Sequence, residues 1–192
     1  MDRKQNLLEA IVPVKRGLEV SENQTKEILS AIAYLEDLNP NPFPLEVPEL
    51  LLGDWRLLFT NSKALLGLDR LPILYTQDIY QCIRAGKIYN VAEFAGLPFL
   101  EGLVSVCASF IPVSKQRVNV KFERSVLGLQ RLLKYKSVSE FIKVLESQVK
   151  LTAVDFSITR TNQKGWLETT YLDANLRVGR GNEGSVFILE KS

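Results

Sequence analysis

Side chains able to do chemistry concentrate near the C-terminus, in the stretch GWLETTYLDANLRVGRGNEGSVFIL from Gly165 to Leu189. It reads as two extended runs, Trp166 to Leu172 and Ser185 to Leu189, around a turn-rich centre that carries Asp173, Arg177 and Arg180. If Leu176 to Arg180 is also extended, the period of two puts Arg180 on a face with Leu176 and Val178 and aims its guanidinium inward. A buried guanidinium needs an anion, and Asp173 is the nearest candidate, so a structural Asp173–Arg180 pair is expected. Left free, Arg180 would instead select an acidic lipid. Two amides upstream, Gln81 and Asn90, complete the polar candidates.

What is missing narrows the chemistry further. Histidine is absent, which removes Ser-His-Asp and Cys-His nucleophilic sites, His-ligated zinc and haem held by a proximal His. Glu93, Glu101, Glu168 and Asp173 offer carboxylates, but their spacing identifies no acid/base pair. Gly179-Arg180-Gly181 lacks the strand-loop-helix setting and the Lys-Ser/Thr ending of a phosphate loop. No catalytic residue, metal site or cofactor is assigned, and the chain is read as a non-enzyme. Cys82 and Cys107 lack metal-ligand spacing and read as two buried thiols in a reduced compartment. A formal net charge of +2 on 192 residues, 24% of them charged, is too small for a partner of nucleic acid. No apolar run reaches membrane-spanning length, and no secretory signal is visible.

The elements that must position these groups change character along the chain. Asp2 to Val12 spaces Leu7, Leu8, Ile11 and Val12 as an amphipathic helix that Pro13 ends or kinks, and Arg16-Gly17 makes a break. Ser21 with Gln24 is a capping-box pattern ahead of Ile28, Leu29, Ile32 and Leu35, and Asn39-Pro40-Asn41-Pro42 stops that second helix. A Pro-rich linker to Pro48 is expected to pack outside the sheet. From Asp54 the period is two: Trp55, Leu57 and Phe59 alternate with Arg56, Leu58 and Thr60. Asn61 to Gly67 interrupts as a helical turn carrying Leu65 and Leu66. Further runs follow at Thr76–Arg84, Ile88–Phe94, Gly102–Phe110, Arg117–Ser125 and Leu151–Arg160, with a short helix near 138–146 capped by Ser137. A two-residue loop at Ala85-Gly86 would pair Arg84 with Lys87 and place Gln81 opposite Asn90; the like charges at the turn leave a three-residue loop open. About nine extended runs with short connections and no alternating helices predict an antiparallel meander, which closure into a barrel would rid of exposed edges. The expected organisation is one mainly β domain, 1–192, with a helical segment and linker through 47 and a β-barrel from 48.

Three ordered blocks carry a family resemblance. TTYLDANLRVGRGNEGSVFIL, the N-terminal series LLEAI, Arg16-Gly17, LEDLNPNP and LLGDWRLLFTNS, and the central IYQCIRAGKIYNVAEF resemble the fibrillin family, also called plastid lipid-associated proteins or plastoglobulins, of cyanobacterial type. The resemblance implies a lipocalin-like barrel, associated with thylakoids or plastid lipid droplets, that handles hydrophobic small molecules.

Two functional expectations follow. The first is a pocket for a lipid, quinone or carotenoid, lined by some of Trp55, Phe59, Tyr80, Phe94, Phe110, Phe122, Trp166 and Tyr171, with Gln81, Asn90, Asp173, Arg177 and Arg180 as orienting groups. The second is a structural coat on lipid globules or membranes without a cavity ligand. It would use the basic band Lys115, Arg117, Lys121, Arg124, Arg131, Lys134 and Lys136 against anionic headgroups, although such a band also reads as a solvated face. A chromophore-handling enzyme or chaperone rests on architecture alone. Because the first helix starts within a few residues of the N-terminus, the expected form is a cyanobacterial cytoplasmic protein peripheral to thylakoids or lipid globules, or a processed plastid protein.

Overall fold

Strands form where the apolar period is two: β1 (Gly53–Thr60), β2 (Tyr75–Arg84), β3 (Lys87–Ala95), β4 (Gly102–Pro112), β5 (Arg117–Leu129), β6 (Val154–Ser157), β7 (Gly165–Leu172), β8 (Leu176–Gly181) and β9 (Val186–Lys191). The computed structural model describes residues 3–67, 75–96, 99–147, 149, 151–159 and 165–192. It joins the strands in one antiparallel sheet of order β4-β3-β2-β1-β9-β8-β7-β5-β6, with β4 also paired to β5. Eight strands therefore close into a barrel-like ring, and β6 adds to β5 outside it. The seam is β5, whose Arg117–Val120 pair with Glu168–Gly165 of β7 while its Arg124–Leu127 pair with β6. The expected antiparallel, mainly β fold is present, with β5 longer and β6 shorter than the sequence suggests; Arg160 lies outside the described residues.

The β2–β3 hairpin has the two-residue turn, so Arg84 pairs with Lys87 and Gln81 with Asn90. Gly86 takes φ +72, the left-handed conformation the turn demands. The like charges are drawn apart by separate carboxylates, Arg84 to Asp54 at 2.7 Å and Lys87 to Glu123.

Helices α1 (Arg3–Ile11) and α2 (Glu22–Glu36) lie on the outer face of the ring, and the Ser21–Gln24 capping box forms in full. Leu7, Ile11, Ile28, Ile32 and Leu35 pack there against Phe59, Tyr171, Leu176, Val178, Val186 and Ile188. This packing overturns the inward placement of Arg180. Leu176, Val178 and Arg180 do share a face, but it is the face the helices cover; each face of β8 carries one arginine, Arg180 on this side and Arg177 on the other, and alternation alone does not say which side is enclosed. Arg180 donates from Nε and Nη2 to Glu36 of α2 at 2.8 and 2.6 Å and not to Asp173. Asp173 accepts from Lys4 Nζ at 2.7 Å, Tyr171 Oη at 2.8 Å and the turn N–H groups of Asn175 and Leu176. Burial opposes the Asp173 charge, but Lys4 and the other donors outweigh it and hold the carboxyl below its ordinary range.

The linker corrects a second expectation. The 3-10 turn Pro44–Glu46 and α3 (Pro48–Leu51) do not lie against the outer wall. They bring Leu45, Val47 and Leu51 into the cluster of Trp55, Ile83, Phe94 and Leu172, and Leu45 N–H donates to Lys115 O in the β4–β5 turn. The linker thus spans that end of the ring. At the other end α4 (Lys63–Leu66) follows β1. Helix α5 (Val138–Glu146), with Ser137 accepting from Glu140 N–H, packs Phe141, Ile142 and Leu145 on the outer face against Tyr89, Val91, Leu103 and Val126.

Two substitutions test how the helices are tied to the ring. Gly17 has φ +105, and a Cβ there would stand 2.1 Å from Thr60 O at the end of β1. Gly17→Ala is therefore expected to cost more than about 2 kcal/mol in chemical denaturation. Arg180→Ala, which deletes a two-pronged charge-assisted contact, is expected to cost roughly 1–2 kcal/mol by the same measurement.

Candidate functional site

Inside the ring the inward side chains enclose a cavity of about 420 Å³. Its walls are Leu57, Ile79, Ile88, Val120, Phe122, Leu167, Phe187 and Leu189, with Leu65 of α4 and Trp166 toward its outer end. Ser62, Asn182, Glu183 and Ser185 extend the lining to the loops at the α4 end, where Glu183 is exposed. Gly181 faces inward here, and a Cβ on it would come within 3.3 Å of the Phe187 ring. A larger residue would push into the lumen, so the missing side chain is space the cavity uses.

The deep end is polar. Arg177, which pairs with Leu172 and Leu189, points into the ring and is 0% exposed. Its Nη2 donates to Gln81 Oε1 at 2.6 Å, and Gln81 Nε2 donates to Asn90 Oδ1 at 3.0 Å. Both amides line the cavity. The guanidinium carbon lies 5.2 Å from the centroid of the Trp55 ring, whose Nε1 donates to Leu51 O at 2.9 Å. Among the described residues Arg177 Nε and Nη1 have no hydrogen-bond partner and no carboxylate pairs with Arg177. Burial pushes its pKa down to about 9 from the ordinary 12.5. It stays protonated at neutral pH, because removing water weakens the charged form by less than the margin arginine starts with.

The structure divides the candidate residues. Gln81, Asn90, Phe122 and Trp166 come together on the cavity wall, and Trp55, Phe94 and Phe110 join the inner apolar cluster behind it. Tyr80 packs with the cluster beneath α5 and also contributes to the wall. Phe59 and Tyr171 do not face the lumen: each follows a register shift, between Leu57 and Phe59 and between Thr169 and Tyr171, that turns the next side chain outward onto the helices. Asp173 and Arg180 belong to outer contacts, as described above. Arg177 is the inward cation of the pair. Its signal was in the sequence, since 177, 179 and 181 share a face and two of the three are glycine, which gives a bulky side chain room.

A hollow of about 450 Å³ on the outer face beside α5 is bordered by Lys87, Tyr89, Ser105, Cys107, Glu123, Arg124 and Glu146. Lys87 pairs with Glu123 and Arg124 with Asp155, while Ser105 Oγ is buried without a hydrogen-bond partner among the described residues. Burial pushes the Cys107 thiol up, and the Cys82 thiol further. The basic band is interrupted: Lys115 pairs with Glu46, Arg117 with Glu168 and the Trp166 ring, and Arg124 with Asp155, whereas Lys121, Arg131, Lys134 and Lys136 are exposed. Of the four carboxylates considered above, Glu93 accepts from Tyr135 Oη, Glu168 from Arg117, and Asp173 is held in its turn.

Comparison with known proteins fits this architecture to a family. The family model described as PAP_fibrillin matches residues 1–190. Over 98% of its length the chain is 32% identical to a "Light-induced protein, chloroplastic" of Solanum tuberosum, covering 66% of that protein. It is equally identical, over the same share, to a "Probable plastid-lipid-associated protein 2, chloroplastic" of Arabidopsis thaliana, covering 70% of it. A "Chromoplast-specific carotenoid-associated protein, chromoplastic" of Cucumis sativus is 32% identical, with 67% covered. The chain thus spans about two-thirds of the length of the relatives it matches. No solved structure matches it. With a family match from end to end and relatives named for plastid lipids and carotenoids, the chain belongs to the PAP_fibrillin family of plastid lipid-associated proteins.

Proposed function

We propose that this protein is a non-enzymatic binder that sequesters a hydrophobic small molecule, a lipid, quinone or carotenoid, inside the strand ring, at thylakoid membranes or lipid globules. The observation that carries the reading is the cavity of about 420 Å³ with apolar walls and two amides at its deep end. Its size lies within the range of small-molecule sites, and apolar walls with a few polar groups are their usual lining. Trp166, Phe122, Gln81 and Asn90 contact the guest, with Trp55 and Arg177 supporting them from behind. The printed names of the relatives, plastid-lipid-associated and carotenoid-associated, support a lipophilic guest and a plastid-type membrane setting.

A second reading, a coat on lipid particles, has its own observation. Where β5 and β6 extend beyond the ring, Leu127 pairs with Val154 and Ser125 with Phe156, and all three apolar side chains are about half exposed. Phe99, Leu100 and Leu132 are exposed as well, and Arg131 and Lys134 flank Leu132. The cavity reading is preferred because a largely apolar lumen inside the strand ring can select a guest, whereas exposed apolar residues are ordinary on protein surfaces.

Binding of the neutral, lipophilic dye Nile red separates the two. Blue-shifted emission that titrates to one dye per chain is expected, and Val120→Trp, which fills the lumen, should weaken it at least tenfold with the far-UV circular dichroism unchanged. Dye binding that ignores Val120→Trp, together with salt-sensitive sedimentation on anionic vesicles that Leu127→Glu abolishes, would establish the coat reading instead.

A further inference from the structure

Resting on the cavity reading, we infer that the guest carries an anionic head, of the long-chain carboxylate class, seated at Gln81 and Asn90 with its chain toward the α4 end of the lumen. The inference starts from donor and acceptor arithmetic. A guanidinium can only donate, so the Gln81 atom it touches at 2.6 Å must be the amide oxygen. That orientation turns the Gln81 amide nitrogen toward Asn90, which accepts through its own oxygen at 3.0 Å. Among the described residues, Asn90 Nδ2, with both hydrogens, and the second hydrogen of Gln81 Nε2 are then amide donors without partners at the deep end of the cavity. The relay converts a wall of two ambivalent amides into a set of donors with a positive charge one hydrogen bond behind them.

Charge points the same way. Arg177 is 0% exposed, and among the described residues two of its nitrogens have no partner and no carboxylate compensates it. The Trp55 face at 5.2 Å offers a quadrupole and no net charge. Among the described residues the one carboxylate on the cavity wall is Glu183, exposed at the opposite end. An anion at the amides would therefore meet donors and an unmatched cation at one end and apolar walls along its length. A buried cation without a counter-charge is unfavourable until an anion arrives, so charge compensation is available only to the bound state. A neutral guest of the same length would gain the walls and leave that cation unmatched.

The test is competition against Nile red on the full chain by three guests of one chain length: hexadecanoic acid, its methyl ester and hexadecan-1-ol. The acid is expected to displace the dye with an apparent Kd at least tenfold below those of ester and alcohol, and Arg177→Met to bring the ratio of acid to ester affinities to about one. Equal competition by all three in the wild type, or an acid preference that persists in Arg177→Met, overturns the anionic head while the cavity reading stands. Failure of every guest and of the dye to bind overturns both. Should Arg177→Met not fold, the comparison of acid with ester and alcohol in the wild type decides the question alone.

Discussion

Closure of the sheet at β5 is the constraint from which the other features follow. A single strand has two edges, and β5 gives one to β4 along most of its length while dividing the other between β7 and β6. Among the described residues four strand pairs, Arg117–Val120 against Glu168–Gly165, join the two halves of the sheet there, with Thr169 N–H donating to Gln116 O beside them. Without them the sheet would be an open meander with two long edges and no inside. With them, every strand of the ring acquires an enclosed face and an outer face, and the outer face must be covered where it is apolar. Helices α1 and α2 cover β1, β7, β8 and β9, and α5 covers β2 to β5.

This division explains which parts of the structure can be read from residues alone. Alternation fixes which side chains travel together, and the hairpin chemistry of Ala85-Gly86 is specific enough to place Gln81 opposite Asn90. The capping pairs at Ser21 and Ser137 are equally local and equally legible. The resemblance in three ordered blocks proves to be true membership of the family. Which face is enclosed is not a local property. Each face of β8 carries one arginine, so the pattern Leu176, Val178, Arg180 fits inward and outward placement alike, and the choice is made by helices distant in sequence. Register shifts add a second kind of blindness, because one extra residue reverses the parity of everything after it. Phe59 and Tyr171 lie just beyond such shifts and end up under the helices.

The linker illustrates a related limit. Proline explains why α2 stops near Asn39, and it also explains why residues 40–48 form no strand. Neither fact says where Leu45, Val47 and Leu51 go. They are drawn to one end of the ring by the apolar side chains of Trp55, Ile83, Phe94 and Leu172, and their packing there closes it. At the opposite end, among the described residues, stand the four-residue α4 and the 3-10 turn Asn182–Gly184, and the cavity lies toward that end. The asymmetry of the lumen, shut at one end and lined by polar loop residues at the other, is a product of tertiary packing.

The same closure accounts for the unusual state of Arg177. In a closed ring the backbone donors and acceptors of each strand are largely committed to neighbouring strands, and among the described residues no backbone carbonyl accepts from Arg177. Of the α3 carbonyls, Leu51 O accepts from Trp55 Nε1 and Leu50 O from Lys191 Nζ. Arg177 is left with one side-chain acceptor, Gln81, and an aromatic face. A methionine of similar length would fill the same space without the cost of burying charge. The guanidinium is therefore hard to explain by stability, and its one hydrogen bond is spent on orienting the amide that forms the cavity wall. Retaining a cation whose main structural contact points its influence into a lumen makes physical sense where the lumen is used.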